Sequence, residues 1–160
     1  MCFFITELKE LNTQEIIANN KVIAGLDIGD KTVGIAISDR RLKIASGITT
    51  IQRNGTNKDL ETFKKAIKNY DIGAIIFGWP VQMNGLPGAQ CEKILNFVTE
   101  LSEIFKVPFC KWDERCSTCA VDKILIQADM SRKKRKKVID KSASIYILQG
   151  ALDCINRNII

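Results

Sequence analysis

From Lys21 onward the chain is a succession of short apolar runs separated by polar turns. Val22 to Ile28 is almost continuously apolar, the pattern of a strand buried on both faces. Gly29-Asp30-Lys31 reads as a turn and Thr32 to Ser38 as a second strand of β-branched and small residues, so the two predict a hairpin. Lys43 to Ile51 reads as a third strand. The spacing then becomes helical over about Asn57 to Asn69, with Leu60, Phe63, Ala66 and Ile67 on one face. Ile72 to Phe77 is a short buried strand. A loop holding Gly78-Trp79-Pro80 and Asn84 to Gly88 follows, then a helix from Ala89 to Phe105 and a fifth strand from Val107 to Trp112. Two further helices are predicted, at about Ser117 to Gln127 and Val138 to Asn156. The first twenty residues differ: they are polar, amphipathic at best, with Leu8, Leu11, Ile16 and Ile17 as candidate packing points. They read as an appended helix or a loose tail.

This order predicts an α/β fold. An antiparallel meander comes first and crossover units after it, giving a mixed five-stranded sheet with helices on both faces. The third segment pairs with the second, and later strands reach the first through right-handed crossovers. A chain of 160 residues is expected to be one domain with a substantial core. The expected division is an N-terminal extension over 1–20, a domain over 21–156 and a short tail over 157–160.

Composition narrows the chemistry. There are no histidines, which excludes Ser-His-Asp and Cys-His nucleophile systems and zinc sites with His ligands. No apolar stretch approaches the roughly 18 residues of a membrane span, and no secretory signal is evident, so the expected compartment is the cytoplasm. There the six cysteines stay reduced. Cys116 and Cys119 form a C-x-x-C, but no second pair completes a zinc site, and the pair lies in a helical pattern where Cys packs as a small hydrophobe.

Charge is concentrated in one place. The net charge is +6, from 24 Lys and Arg against 18 Asp and Glu. Arg132, Lys133, Lys134, Arg135, Lys136 and Lys137 alone carry six positive charges, so the rest is neutral, with 18 of each sign. The run is expected to lie between the last two helices as a solvated loop.

Three carboxylates are candidates for chemistry, each with a structural alternative. Asp27 sits inside an apolar strand, where a lone carboxylate is costly unless a cation or donors compensate it; it could equally close the strand by accepting N–H groups of the following turn. Glu114 follows a strand end, where α/β sheets place ligands, but Asp113 or Glu114 could instead sit at a helix start. Asp140 shares a helix face with Ser144, Ile147, Leu148, Ala151 and Ile155, with capping as its alternative. Together they suit one or two Mg²⁺ or Mn²⁺ ions bound through oxygen, and two such ions support phosphodiester hydrolysis without histidine.

The motifs resemble those of the YqgF (RuvX) family. Gly25 to Asp39 (GLDIGDKTVGIAISD) is similar to its opening motif, Gly78 to Gly85 (GWPVQMNG) to its G-x-P loop, Asp113-Glu114-Arg115 with Ser117-Thr118 to its D-E-R-x-[ST]-T signature, and Asp140 to Gln149 to its last helix. The resemblance covers about residues 21–156. It implies an RNase H-like fold akin to the RuvC resolvases, with metal-binding acidic residues at Asp27, Glu114 and Asp140. It also implies a nuclease acting in 5′-end processing of pre-16S rRNA within ribosomal precursor particles, or a Holliday-junction resolvase on four-way DNA. Two departures stand out: Thr32 replaces a usual Arg, and Lys141-Ser142 replaces a more apolar helix start. The first is expected to weaken one phosphate contact.

With Asp140 three residues beyond it, the basic run is expected at the rim of the site, positioning phosphates without reading sequence. Lys31 and Arg115 are candidate contacts nearer the metals. Two other readings remain: a nucleic-acid-binding assembly module that keeps the fold without catalysis, and an actin-like phosphate loop, which Asp27-Ile28-Gly29 also resembles. The last needs two such domains and a far longer chain.

Overall fold

The computed structural model describes residues 5–113 and 132–157, with the backbone alone over 132–141. In chain order it contains β1 (Ile5–Thr6), a 3-10 turn (Leu8–Glu10), α1 (Thr13–Ala18), β2 (Val22–Ile28), β3 (Thr32–Ser38), β4 (Ala45–Gln52), α2 (Thr56–Ile67), β5 (Ile72–Trp79), α3 (Gln90–Ile104), β6 (Phe109–Asp113) and α4 (Arg132–Arg157). The strands form one mixed sheet in the order β1-β6-β5-β2-β3-β4. The meander β2-β3-β4 is antiparallel, and β5 and β6 join it in parallel to β2.

Among the described residues the sheet has six strands, one more than the sequence predicts. Ile5 and Thr6 pair in parallel with Phe109 and Cys110 at the far edge. A two-residue strand is too short to show a period of two. Leu8, Leu11 and Ile16 are buried, so residues 5–20 pack on the body. Ile17, expected among the packing points, is 46% exposed. The predicted helix over Ser117 to Gln127, with Cys116 and Cys119, lies outside the described residues.

Alternation along the central strands decides which helix covers which face. Ala24, Leu26 and Ile28 of β2 join Leu60, Phe63 and Ile67 of α2 and Ile94, Phe97 and Leu101 of α3 in one core. Ile23 of β2, Ala36 of β3 and Ile76 of β5 face the other way, against Ile147, Leu148, Ala151 and Leu152 of α4. Asp27 follows Ile23 by four residues and therefore belongs to the α4 face.

The basic run is not a loop between helices. Arg132 to Lys137 form the first turns of α4, which runs unbroken to Arg157. Lys and Arg are good helix formers and no proline interrupts the segment. The like charges at three- and four-residue spacing cost only a few tenths of a kcal/mol per pair, which does not outweigh propagation of a helix already anchored by its apolar C-terminal half.

Candidate active site at the carboxyl edge of the central strands

Asp27 is half-buried one residue before the end of β2, paired across the hairpin with Gly34. Both approach α4 closely because two glycines clear the way. A Cβ on Gly25 would lie 2.6 Å from Leu148 Cβ and 3.1 Å from the Ser144 carbonyl oxygen. A Cβ on Gly34 would lie 3.2 Å from Ser144 Oγ and 3.6 Å from Asp27 Cβ. Leu148 therefore sits over Gly25, and the buried Ser144 over the Asp27–Gly34 pair. As β2 runs forward, α4 runs back. Position 140 is one further turn along, about 6 Å by helix rise, so the α4 backbone carries it toward the carboxyl edge of β2.

The parallel strands β5 and β6 end at the same edge, where Trp79 pairs with Asp113. Trp112 packs on the α4 side: a Cβ on Gly150 would lie 3.0 Å from its ring. Alternation turns Asp113 to the opposite face, away from Asp27. On that face Lys111 lies 4.9 Å from the centre of the Trp79 ring, a cation–π contact. Glu114 and Arg115 lie outside the described residues, as do the side chains of Asp140 and Arg132 to Lys137. Among the described residues no three acidic or thiol groups gather as a metal cluster. Of the predicted site, then, the structure brings Asp27, Lys31 and the start of α4 to one edge. Lys31 is exposed in the β2–β3 turn.

That turn is held by a residue the sequence reading missed. Arg53 Nη1 donates to the Gly29 carbonyl at 3.1 Å, and Arg53 Nε donates to Asp59 Oδ2 at 3.2 Å. Its guanidinium also lies 5.1 Å from the centre of the Phe97 ring. The Arg53 N–H donates to the Lys31 carbonyl at 2.9 Å. Asp59, 1% exposed, accepts a further N–H from Asn54 at 2.8 Å. Arg53 thus bolts the turn following Asp27 to the first turn of α2. The available signal was an Arg just past a strand with an Asp early in the next helix, but nothing local says that the two meet.

Elsewhere on the turn, Lys93 Nζ donates to Asp30 at 2.7 Å. The Lys93 hydrogen bond and charge hold the Asp30 carboxyl below its usual range, although both groups are exposed and the pair is worth little. Asp39 caps the β3–β4 connection: burial raises its pKa, but N–H groups of Ile44, Lys43 and Arg41 outweigh that and hold it low.

Comparison with known proteins agrees with this architecture. The family model described as RuvX, Holliday junction resolvase, matches residues 21–154. A protein of Thermoanaerobacter pseudethanolicus, provisionally named a pre-16S rRNA nuclease, is 51% identical over 132 residues, covering 82% of this chain and 95% of the relative. A protein of Clostridium kluyveri with the same provisional name is 47% identical over 135 residues, covering 84% of this chain and 98% of the relative. Among solved structures, Thermus thermophilus RuvC in complex with a Holliday junction substrate superposes with a TM-score of 0.55 at 11% identity, over 82% of this chain and 93% of that one. Thermus thermophilus RuvC by itself gives 0.53 at 12% identity, over 86% and 96%. These likenesses carry the RNase H-like fold, six-stranded here. On a family model spanning most of its length and relatives near half identity, the chain belongs to the RuvX family.

Proposed function

We propose that this chain cuts the 5′ region of pre-16S rRNA during ribosome biogenesis, using divalent metal held by Asp27, Glu114 and Asp140. As a RuvX-family member with nuclease-named relatives it is a phosphodiester-hydrolysing enzyme; the metal, the residues and the RNA substrate are the proposal. The observation that carries it is the seat of Asp27. A carboxylate on the central strand of an RNase H-like sheet is pressed by two glycines against a helix whose backbone leads to position 140.

The donor chemistry suits Mg²⁺ or Mn²⁺, which take carboxylate oxygen and need no imidazole. Gly34 puts no side chain beside Asp27, and the space over it is taken by Ser144, whose hydroxyl would lie 3.2 Å from a Cβ there. When bound, the metal lowers the pKa of a water and neutralises charge on the reacting phosphate. The protein's own part is to fix Asp27 on a rigid strand, hold the Gly29 to Lys31 turn through Arg53, and exclude bulk from the face under Ser144. Lys31 and the six cations of α4 position backbone phosphates without reading bases.

The test is cleavage of a pre-16S leader RNA, single-stranded DNA and a four-way junction side by side, with Mg²⁺ and with Mn²⁺. Leader RNA is cut and Asp27→Asn abolishes the cut with the fold intact. Equal cutting by the variant refutes the mechanism. A second reading, junction resolution, follows from the family's description. It requires paired cuts and therefore a dimer, so a monomer by sedimentation at working concentrations argues against it.

A further inference from the structure

A groove of about 530 Å³ opens where β4 passes under the N-terminal half of α4. Gly47, Thr49 and Thr50 line it from the strand and Ser142 and Ile145 from the helix. Its volume falls in the range of roughly 300–1,000 Å³ usual for ligand sites. We propose that this groove seats the single nucleic-acid strand adjoining the cleaved bond, an inference that rests on the nuclease reading above.

Four observations point there. First, the groove lies on the same face of the sheet as the candidate catalytic carboxylate. Asp27 pairs with Gly34, and Gly34 pairs with Thr50. Directly opposed residues share a face, so Asp27, Gly34 and Thr50 form one row across three strands on the α4 side. Thr50 is two strand spacings from Asp27, about 9.6 Å, with Ser144 of α4 seated over the glycine between them. Second, the lining combines the hydroxyls of Thr50 and Ser142 with aliphatic surface of Ile48 and Ile145. Hydroxyls hydrogen-bond phosphate and sugar oxygens, which position a strand without specifying sequence. Third, among the described residues the lining contains no acidic group. The six cations at the start of α4 end five residues before Ser142, about 7.5 Å along the helix axis. A polyanion is therefore matched in charge to the groove and its approach. Fourth, β4 is the outer strand of the sheet, so the groove opens sideways and a long strand can enter without threading. An added peptide strand would also use such an edge, but hydroxyl lining beside six cations favours phosphate.

The experiment measures binding without divalent ions, so it does not depend on cleavage. Thr50→Glu and Ser142→Glu are each compared with the parent for a fluorescein-labelled single-stranded RNA by anisotropy, with circular dichroism and melting as folding controls. Each acidic substitution weakens RNA binding by tenfold or more. Independently, a benzophenone amino acid at the half-buried position Ser142 crosslinks to the RNA, whereas one at Tyr70, 42% exposed beyond the end of α2, does not. Binding within twofold of the parent for a folded acidic variant, or equal crosslinking at both positions, overturns the groove. So does exclusive crosslinking at Ser142 to added peptide rather than RNA. If the parent cuts RNA but the groove variants bind normally, the groove falls and the nuclease reading stands. If the parent cuts nothing yet binding is groove-dependent, the nuclease reading falls and the groove stands as a strand-binding site alone.

Discussion

Gly25→Ala isolates the contact that brings α4 onto the strand of Asp27. Away from α4 this change would help: an extended glycine replaced by alanine lowers the entropy of the unfolded chain by about 0.4–1 kcal/mol. Here the new methyl meets Leu148 Cβ at 2.6 Å and the Ser144 carbonyl oxygen at 3.1 Å. An ordinary contact needs about 3.5 Å or more, so strand and helix must part by most of an ångström. The carbonyl is backbone and the Cβ is fixed to it, so no rotamer change relieves the overlap. Overpacking of this kind costs about 1–3 kcal/mol. For a domain of this size that lowers Tm by roughly 2–4 °C per kcal/mol, or about 4–8 °C for a 2 kcal/mol loss. Gly34→Ala, which meets the movable Ser144 hydroxyl, costs less. Calorimetric melting of both variants checks the order. Because α4 also carries position 140, cleavage by Gly25→Ala falls further than its folded fraction at the assay temperature. A Tm equal to or above the parent's would refute the close seating of α4 on Gly25.

Other expectations concern the turn, the thiols and the basic start of α4. Arg53→Ala strands the buried Asp59 and is expected to cost about 3–5 kcal/mol in urea denaturation; Arg53→Lys does not restore it, because a lysine cannot span Asp59, Gly29 and Phe97 together. Cys110 is fully buried, and burial first, then Glu7 and Glu10, push its thiol up to about 12. It should resist a disulfide reagent at pH 8 until the protein is unfolded. The unfolded thiol loses its proton first as pH rises above about 9, so this group's contribution to stability declines between pH 9 and 12; Cys110→Ala flattens that decline in melts across the range. Replacing Arg132 to Lys137 with Gln weakens nucleic-acid binding and, if four of the charges meet duplex phosphates, reduces the slope of log K against log[salt] by about 3.6. Calorimetric Mn²⁺ titration should be unchanged; lost metal binding would make the run structural.

Most elements of the sheet and its two helical layers could be read from the chain. Val22 to Ile28 and Ile72 to Phe77 are apolar because both faces of a central strand are covered, and Leu60, Phe63 and Ile67 recur at helical spacing because one face meets the sheet. Such periodicities are imposed by local geometry, so they survive in one dimension. Asp27 was conspicuous for the same reason: a charge in an apolar run breaks the pattern. The helical start at Arg132 was not legible, because a charge run has no apolar period and its backbone state depends on the anchored helix it extends.

What only the tertiary structure decided are the meetings between distant residues. Nothing near Gly25 announces Leu148, and nothing near Arg53 announces its joint hold on Gly29 and Asp59. The edge strand at Ile5–Thr6 exists because β6 offers unpaired N–H and C=O groups, not because two residues favour extension. The groove between β4 and α4 belongs to neither element. Residue type and spacing carry the preferences of each segment, whereas contacts depend on which faces the topology brings together. A glycine chosen for what is absent from its own side chain becomes meaningful only when the helix that fills the space is in place.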